Sequence, residues 1–307
     1  MPQLSLNQVS MKYKNKTAVN HVSYEFGNGV YGLLGANGAG KTTLMRMICS
    51  LLPPVEGEIL CDGREIWSLG REYRRLLGYL PQEFGYYPDF TGERFLRYLG
   101  QLKAVPKALL DGRVHELLEL VDLEEDRKRK IKTYSGGMKR RLGIAQALLG
   151  DPQILILDEP TAGLDPKERI RFRNLICSLG KNRIVILSTH IVSDIEYIAD
   201  EILIMKSGSF LLHGQPEEVE SFLEGRVWEL PADEKRAEEY SRIYTVSQRK
   251  AERSTQAGEA KTTIRLVSDE RPAPEAVLVK PTLEDVYLYC FQEKRGQRNG
   301  IIENRAL

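Results

Sequence analysis

Gly35-Ala36-Asn37-Gly38-Ala39-Gly40-Lys41-Thr42-Thr43 has the spacing G-x-x-x-x-G-K-[ST] of a loop that cradles nucleotide phosphates. Its flanks agree. Val30-Tyr31-Gly32-Leu33-Leu34 reads as a buried strand entering the loop, and Thr43-Leu44-Met45-Arg46-Met47-Ile48 reads as the helix leaving it. The chemistry needs that order. Glycines let the main chain turn its N–H groups inward around an anion. The helix N-terminus adds about half an elementary positive charge. In such a loop Lys41 reaches the β- and γ-phosphates and the Thr42 hydroxyl ligates Mg²⁺. An ordinary glycine-rich turn would match the spacing but would not require these flanks.

Outward from the loop, the first 30 residues alternate apolar and polar positions (Leu4, Leu6, Val22, Tyr24, Phe26), which predicts antiparallel strands with one solvated face. Gly57–Gly63 reads as a short strand ending in a turn. From Pro88 to Gly150 the period becomes helical, with Phe95, Leu96 and Leu99, then Val114, Leu117, Leu118 and Val121. Two fully apolar strands follow, Ile154–Leu157 and Ile184–Leu187, with a helix expected between them from Pro166 to Leu179. That is a parallel crossover with both sheet faces covered.

The first of these strands delivers Asp158 and Glu159 to its C-terminal end, the edge of a parallel sheet where ligands bind. Two adjacent carboxylates there suit a divided task, with Asp158 holding Mg²⁺ and Glu159 activating the attacking water. Tyr134-Ser135-Gly136-Gly137-Met138 opens a further apolar-periodic helix (Leu142, Ala145, Leu148, Leu149). Ser135 is its expected cap, and the free N–H groups there make a second anion site. Taken alone this segment would be no more than a capped helix.

Composition limits the classes. The 307 residues are 42% hydrophobic and 28% charged, an ordinary globular composition with room for one large domain or two smaller ones. The 44 basic and 43 acidic residues leave a net charge of +1, so no bulk electrostatic grip on nucleic acid or acidic membrane is expected. No apolar run approaches the length of a membrane span, and Met1–Ser5 carries no secretory pattern. Cys49, Cys61, Cys177 and Cys290 are scattered without a C-x-x-C pair, so buried reduced thiols are expected, not a zinc site or disulfide framework.

With these motifs in order over about residues 4 to 220, the sequence resembles the ATP-binding subunits of ABC transporters. Gly35–Thr43 matches Walker A, Gln82 in Tyr79-Leu80-Pro81-Gln82 the Q-loop, and Tyr134–Met138 the signature. Ile154–Glu159 matches Walker B, Gly163-Leu164-Asp165 the D-loop, and His190 after Leu187-Ser188-Thr189 the switch histidine. The resemblance implies ATP and Mg²⁺ as cofactors, with Thr42, Gln82 and Asp158 on the metal. Tyr13 would stack on adenine. Gln82 would also sense the membrane partner, and His190 would contact the γ-phosphate and fix the water. Ser135, Gly136, Gly137 and Asp165 would serve nucleotide held between two ATPase copies. Lys41, Gln82, Glu159 and His190 form the implied catalytic set.

Residues and resemblance together imply an α/β fold. Its parts are a P-loop NTPase core with a mainly parallel sheet, an N-terminal antiparallel β subdomain, an inserted helical subdomain at about 88–150, and a small α+β C-terminal extension. The ATPase domain would take residues 1–224 and an accessory domain 225–307. In the latter, Arg249–Lys261 reads as a loose loop, Thr263–Val267 and Ala276–Val279 as strands, and Pro281–Asp285 as a helix start capped by Thr282. The last dozen residues read as a polar, frayed tail.

The implied partners are a second copy or a homologous ATPase and an integral membrane permease, with no nucleic acid. The implied location is the inner face of the cell membrane. Tyr134 and Met138 depart from the common LSGGQ signature, and Ala36 stands where proline is frequent. The variant signature followed by Lys139-Arg140-Arg141-Leu142, with Pro281-Thr282-Leu283-Glu284-Asp285-Val286-Tyr287, resembles the branch of drug and antibiotic exporters with a separate membrane subunit. A groove for the permease is expected between Gln82 and Ser135, with Phe84, Tyr86, Tyr87 and Phe90 as contact surface or as internal packing.

The alternative is a soluble ABC ATPase acting on DNA or ribosomes. Such proteins usually carry two modules, a coiled-coil arm or a zinc insertion, and none is visible. A module that binds without hydrolysing is disfavoured by Glu159 and His190. His21, His115 and His213 are isolated, Arg127–Lys130 reads as a solvated loop, and Trp67 and Trp228 as packing residues.

Overall fold

The computed structural model describes residues 2–14, 16–252 and 261–291. In chain order its elements are β1 (Leu4–Tyr13), β2 (Lys16–Phe26), β3 (Gly29–Leu34), α1 (Lys41–Ile48), β4 (Glu56–Cys61), β5 (Arg64–Glu65), α2 (Ile66–Leu69), α3 (Arg71–Leu76) and β6 (Leu77–Leu80). There follow α4 (Gly92–Leu102), α5 (Lys107–Leu120), α6 (Gly136–Leu148), β7 (Ile154–Asp158), α7 (Pro166–Gly180), β8 (Ile184–Thr189), α8 (Val192–Ile195), β9 (Glu201–Lys206) and β10 (Ser209–Gly214). The last are α9 (Pro216–Ser221), β11 (Val227–Ala232), α10 (Glu234–Ile243), β12 (Thr245–Glu252), β13 (Lys261–Val267), β14 (Val277–Leu278) and α11 (Leu283–Phe291). The chain divides into two compact units, Met1–Phe210 and Leu211–Leu307, the division falling within β10.

In the first unit, strands β9-β3-β8-β7-β6 run side by side, and β3 is parallel to β8 and β9, as β7 is to β8 and β6. Every residue of β3, β7 and β8 is buried, the mark of a parallel sheet covered on both faces. The helix between β7 and β8 is α7, so the crossover expected from Ile154 to Leu187 is present. A second, antiparallel sheet has the order β2-β1-β4-β5. Its inner residues Leu4, Leu6, Val19, Val22 and Phe26 join Leu44, Met45 and Ile48 of α1 in one core.

Tyr73 of α3 is fully buried in that core, and its hydroxyl donates to the carbonyl of Ile48 at 2.7 Å. This bond satisfies a carbonyl at the end of α1 that the helix itself leaves free.

Helices α4, α5 and α6 lie between β6 and β7 in the chain. Thr91 caps α4 by accepting from Arg94 N at 3.2 Å. The aromatic residues after Gln82 pack on one another, with ring centroids 4.9 Å apart for Tyr87 and Phe90 and 5.7 Å for Phe84 and Phe95. Internal packing therefore uses them, although Tyr87 stays about half exposed.

The basic run is tied locally, Arg127 to Glu124 at 2.5 Å and Arg129 to Asp126 at 2.5 Å. Cys49, Cys61 and Cys290 are buried as expected; Cys177 is exposed, because it lies on the outward side of α7. Among the described residues no helix is long and apolar enough to cross a membrane.

The second unit carries an antiparallel sheet of order β12-β13-β11-β14 with its own small core of Leu230, Ala237, Ile264 and Leu266. Trp228 packs there and donates from its indole N–H to Ser268 O at 3.1 Å. Arg249–Glu252, expected as loop, continues strand β12 by pairing with Lys261–Ile264 of β13. Residues 253–260 and the polar tail lie outside the described residues. At α11 the expected cap is reciprocal, Thr282 N donating to Asp285 Oδ2 at 2.8 Å and Asp285 N to Thr282 Oγ1 at 3.4 Å.

Replacing Tyr73 by Phe removes the bond to Ile48 and leaves a buried carbonyl unmatched. We expect Tyr73→Phe to lose about 1–3 kcal/mol of stability, read as a lower midpoint in urea unfolding with an unchanged slope.

Candidate functional site

The C-terminal ends of β3, β6, β7 and β8 share one edge of the parallel sheet, so the loops leaving them meet. Residues of the β3, β6 and β7 exits, with Tyr13 and Lys16 of the antiparallel sheet, bound a cleft of about 410 Å³ lined by Tyr13, Lys16, Asn37–Thr43, Gln82 and Glu159. The loop after β3 is braced against the antiparallel sheet. Gly40 has φ +112°, and a Cβ there would stand 2.2 Å from the carbonyl oxygen of Ala18 in β2. No side chain fits, so glycine is required for the loop to close onto α1. Lys41 is 6% exposed, and its ammonium donates to the carbonyls of Gly35 at 2.5 Å and Ala36 at 3.3 Å. Burial lowers its pKa, and the carboxylates of Glu159 and Asp158 oppose the shift.

Asp158 ends β7, is 1% exposed and is not itself among the residues lining the cleft. Its Oδ1 accepts from the Ser188 hydroxyl at 2.6 Å. Its Oδ2 is buried and has no hydrogen-bond partner among the described residues. A buried carboxylate oxygen left without a donor is costly and suits a hard cation. No group of three or more His, Cys, Asp or Glu suited to a metal occurs among the described residues. Mg²⁺ is commonly held by one or two carboxylates together with substrate phosphates and water. The unpartnered Oδ2 of Asp158 fits that ion, and Thr42 and Gln82 line the cleft.

Glu159 has φ +50°, a left-handed conformation that costs a non-glycine residue roughly 1–2 kcal/mol. It is held by its N–H, which meets Ser188 O at 3.2 Å and Ser188 Oγ at 3.0 Å. Its carboxylate Oε2 lies 2.9 Å from His190 Nδ1. The histidine ring is about half exposed while Glu159 is 6% exposed, so the pair links a buried carboxylate to the open side of the site. The sequence placed both residues at the site without pairing them.

Ser188 was not singled out by sequence. A hydroxyl residue ending the apolar run Ile184–Leu187 was the available signal, but its contacts depend on the β7–β8 register, in which Asp158 stands opposite Ser188.

The remaining sequence-selected residues lie at helix starts. Ser135 caps α6, its hydroxyl accepting from Met138 N at 3.1 Å, and Ser135 and Gly136 are exposed. Asp165 caps α7, accepting from Glu168 N at 2.9 Å, and is exposed. Neither segment lines the cleft described above. A helix N-terminus of this kind has backbone N–H groups without intrahelical partners.

Residues 19–162 match the family model described as ABC transporter. The chain is 39% identical over 233 residues to the uncharacterized ABC transporter ATP-binding protein YxlF of Bacillus subtilis (strain 168), covering 76% of this chain and 77% of that protein. It is 34% identical over 220 residues to the Nod factor export ATP-binding protein I of Ralstonia nicotianae, covering 71% and 68%. Among solved structures, the dimeric bacterial ABC transporter cassette MJ0796 superimposes with a TM-score of 0.64 at 26% identity, covering 69% of this chain and 98% of that one. On these likenesses the chain belongs to the family of ABC transporter ATP-binding proteins, which bind and hydrolyse ATP.

Proposed function

We propose that this chain is the ATP-hydrolysing subunit of an exporter, converting nucleotide-driven dimerisation into movement of a separate membrane permease. The observation that carries the reading is the convergence of Lys41, Gln82 and Glu159 on one cleft, with Glu159 bonded to His190. Tyr13, on the rim and 46% exposed, stacks on adenine. The amides of Gly35–Thr43 wrap the phosphates, and Lys41 exchanges the Gly35 and Ala36 carbonyls for phosphate oxygens. Thr42, Gln82 and Asp158 would hold Mg²⁺, which when bound would supply charge neutralisation to the phosphates. Glu159 accepts the proton of the attacking water, and His190 orients it while contacting the γ-phosphate.

Ser135, Gly136, Gly137 and Asp165 face a second copy or a homologous ATPase and complete its nucleotide site. Each helix N-terminus alone contributes modestly to phosphate binding. Surrounding the triphosphate takes two copies, so ATP holds them together and its cleavage lets them separate. The ATPase domain is residues 1–224, and 225–307 form the accessory domain. The helical segment between Gln82 and Ser135 receives a cytoplasmic helix of the permease; a groove of about 900 Å³ at its α4–α5 turn, reaching beyond the segment to α3 and Leu149–Asp151 and not lined by Phe84, Tyr86, Tyr87 or Phe90, supports docking there. Arg74 and Arg75 lie on one side and Leu102, Val105 and Leu109 on the other, a mixed surface suited to an amphipathic cytoplasmic helix. The permease holds the chain at the inner face of the cell membrane. The Ralstonia relative is a Nod factor export ATP-binding protein, which supports outward transport.

Lys41→Ala removes a charge-assisted contact, so ATP affinity by calorimetry should fall at least about tenfold; unchanged affinity would remove Lys41 from the phosphate site. Glu159→Gln should bind Mg-ATP normally, lose about 10²–10⁴ in turnover and run as a dimer on a sizing column. Wild-type turnover in that variant would exclude Glu159 as the base. Adding Ser135→Arg to Glu159→Gln should keep nucleotide binding and abolish the dimer; a persistent dimer would contradict the shared site. Co-purification of a protein with several apolar spans from solubilised membranes tests the transport role, and co-purification with ribosomes or DNA instead would overturn it.

A further inference from the structure

Arg140 lies on α6, five residues after Ser135, and is 8% exposed. A guanidinium has five N–H donors in a fixed planar fork, and all five of its bonds here go to main-chain carbonyls. Nε donates to Pro160 O at 3.0 Å, and Nη1 to Pro81 O at 3.2 Å and Gln82 O at 3.0 Å. Nη2 donates to Asp158 O at 2.6 Å and to Glu159 O. The acceptors fall into two groups. One is the segment leaving β6 that carries Gln82; the other is the segment leaving β7 that carries Asp158 and Glu159. Both line or abut the nucleotide cleft, while the arginine's own backbone belongs to the helix that starts with Ser135, Gly136 and Gly137.

We propose that Arg140 is a positioning residue that fastens the β6 exit, the β7 exit and helix α6 into one body, so that the placement of Glu159 and Gln82 depends on where α6 stands. The proposal rests on the reading of the cleft as the ATPase site. Its physical basis is the left-handed turn at Glu159. Strained backbone persists only where its surroundings over-determine it, and Ser188 holds the N–H side of this residue while Arg140 holds the carbonyl side. Buried carbonyls deprived of donors turn toward water, so loss of the fork releases both exits at once. A lysine does not substitute: its ammonium is a point donor and cannot span the two segments as a planar fork does. Because α6 begins with the segment that serves the second copy's nucleotide, the same fork links the two nucleotide sites mechanically. Neither Arg140 nor its acceptors need touch ATP for this.

The test compares Arg140→Lys and Arg140→Met with wild type in the full chain. Three readouts are needed: Kd for Mg-ATP, steady-state kcat and KM, and amide hydrogen exchange by mass spectrometry. The expected result is a Kd within about threefold of wild type and a kcat about 10²-fold lower, the scale of a misplaced catalytic group. Exchange should be faster in peptides covering Gln82–Phe84 and Glu159–Ala162 and unchanged in α1. Arg140→Lys should keep its thermal midpoint within a few degrees, so it carries the test if Arg140→Met does not fold. Wild-type kcat and exchange in Arg140→Lys would overturn the proposal. So would a parallel loss of kcat, nucleotide affinity and protection throughout the first unit, which would reduce Arg140 to general stability. If wild type itself lacks Mg-dependent ATPase activity, the functional reading fails, and the exchange data alone still decide whether Arg140 holds the two exits.

Discussion

Four buried charges govern the edge of the parallel sheet: the cations of Lys41 and Arg140 and the carboxylates of Asp158 and Glu159, each less than a tenth exposed. Burying an ion without compensation costs several kcal/mol or more, so these groups constrain one another and everything that carries them. Lys41 is held by loop carbonyls, Arg140 by strand-exit carbonyls, Asp158 by Ser188 and Glu159 by His190. The charges come from three segments of the chain, the start of α1, helix α6 and the exit of β7, and the parallel order of the sheet with α6 packed at its edge brings them together. The apolar strands set the register; the register fixes which polar group finds which partner.

That division explains what the sequence disclosed. The nucleotide loop was legible because its chemistry is local: glycine, lysine and threonine at fixed spacing between a strand and a helix. Asp158 and Glu159 were legible for the same reason, as polar residues ending an apolar run. Ser188 and the bond between His190 and Glu159 were not, because they join residues about 30 positions apart through strand register. Arg140 could be read only as one member of a basic cluster, since its acceptors lie 18 to 59 residues away.

The second unit shows the opposite failure. Arg249–Glu252 is polar and was expected as loop, but β12 is the edge strand of its sheet. An edge strand can be polar on its open side and keep its ladder, because water satisfies the outer row of backbone groups. The small cap at α11 was legible, while the wider role of Asp285 was not: its carboxylate also binds Arg265 at 2.8 Å and the Ser247 hydroxyl at 2.5 Å. Burial raises the pKa of this carboxyl, but its bonds to Arg265 and Ser247 outweigh that and hold it below the ordinary aspartate value. It is a buried ion made tolerable by several donors, a stabilising arrangement distant in kind from the chemistry of the first unit.

The fork of Arg140 grips only peptide oxygens, which every amino acid possesses. Substitution at positions 81, 82 or 158 to 160 can therefore alter side-chain chemistry without severing the tether, provided the main-chain path survives. Lineages descended from this chain are free to experiment with reactivity at those places while inheriting the linkage intact.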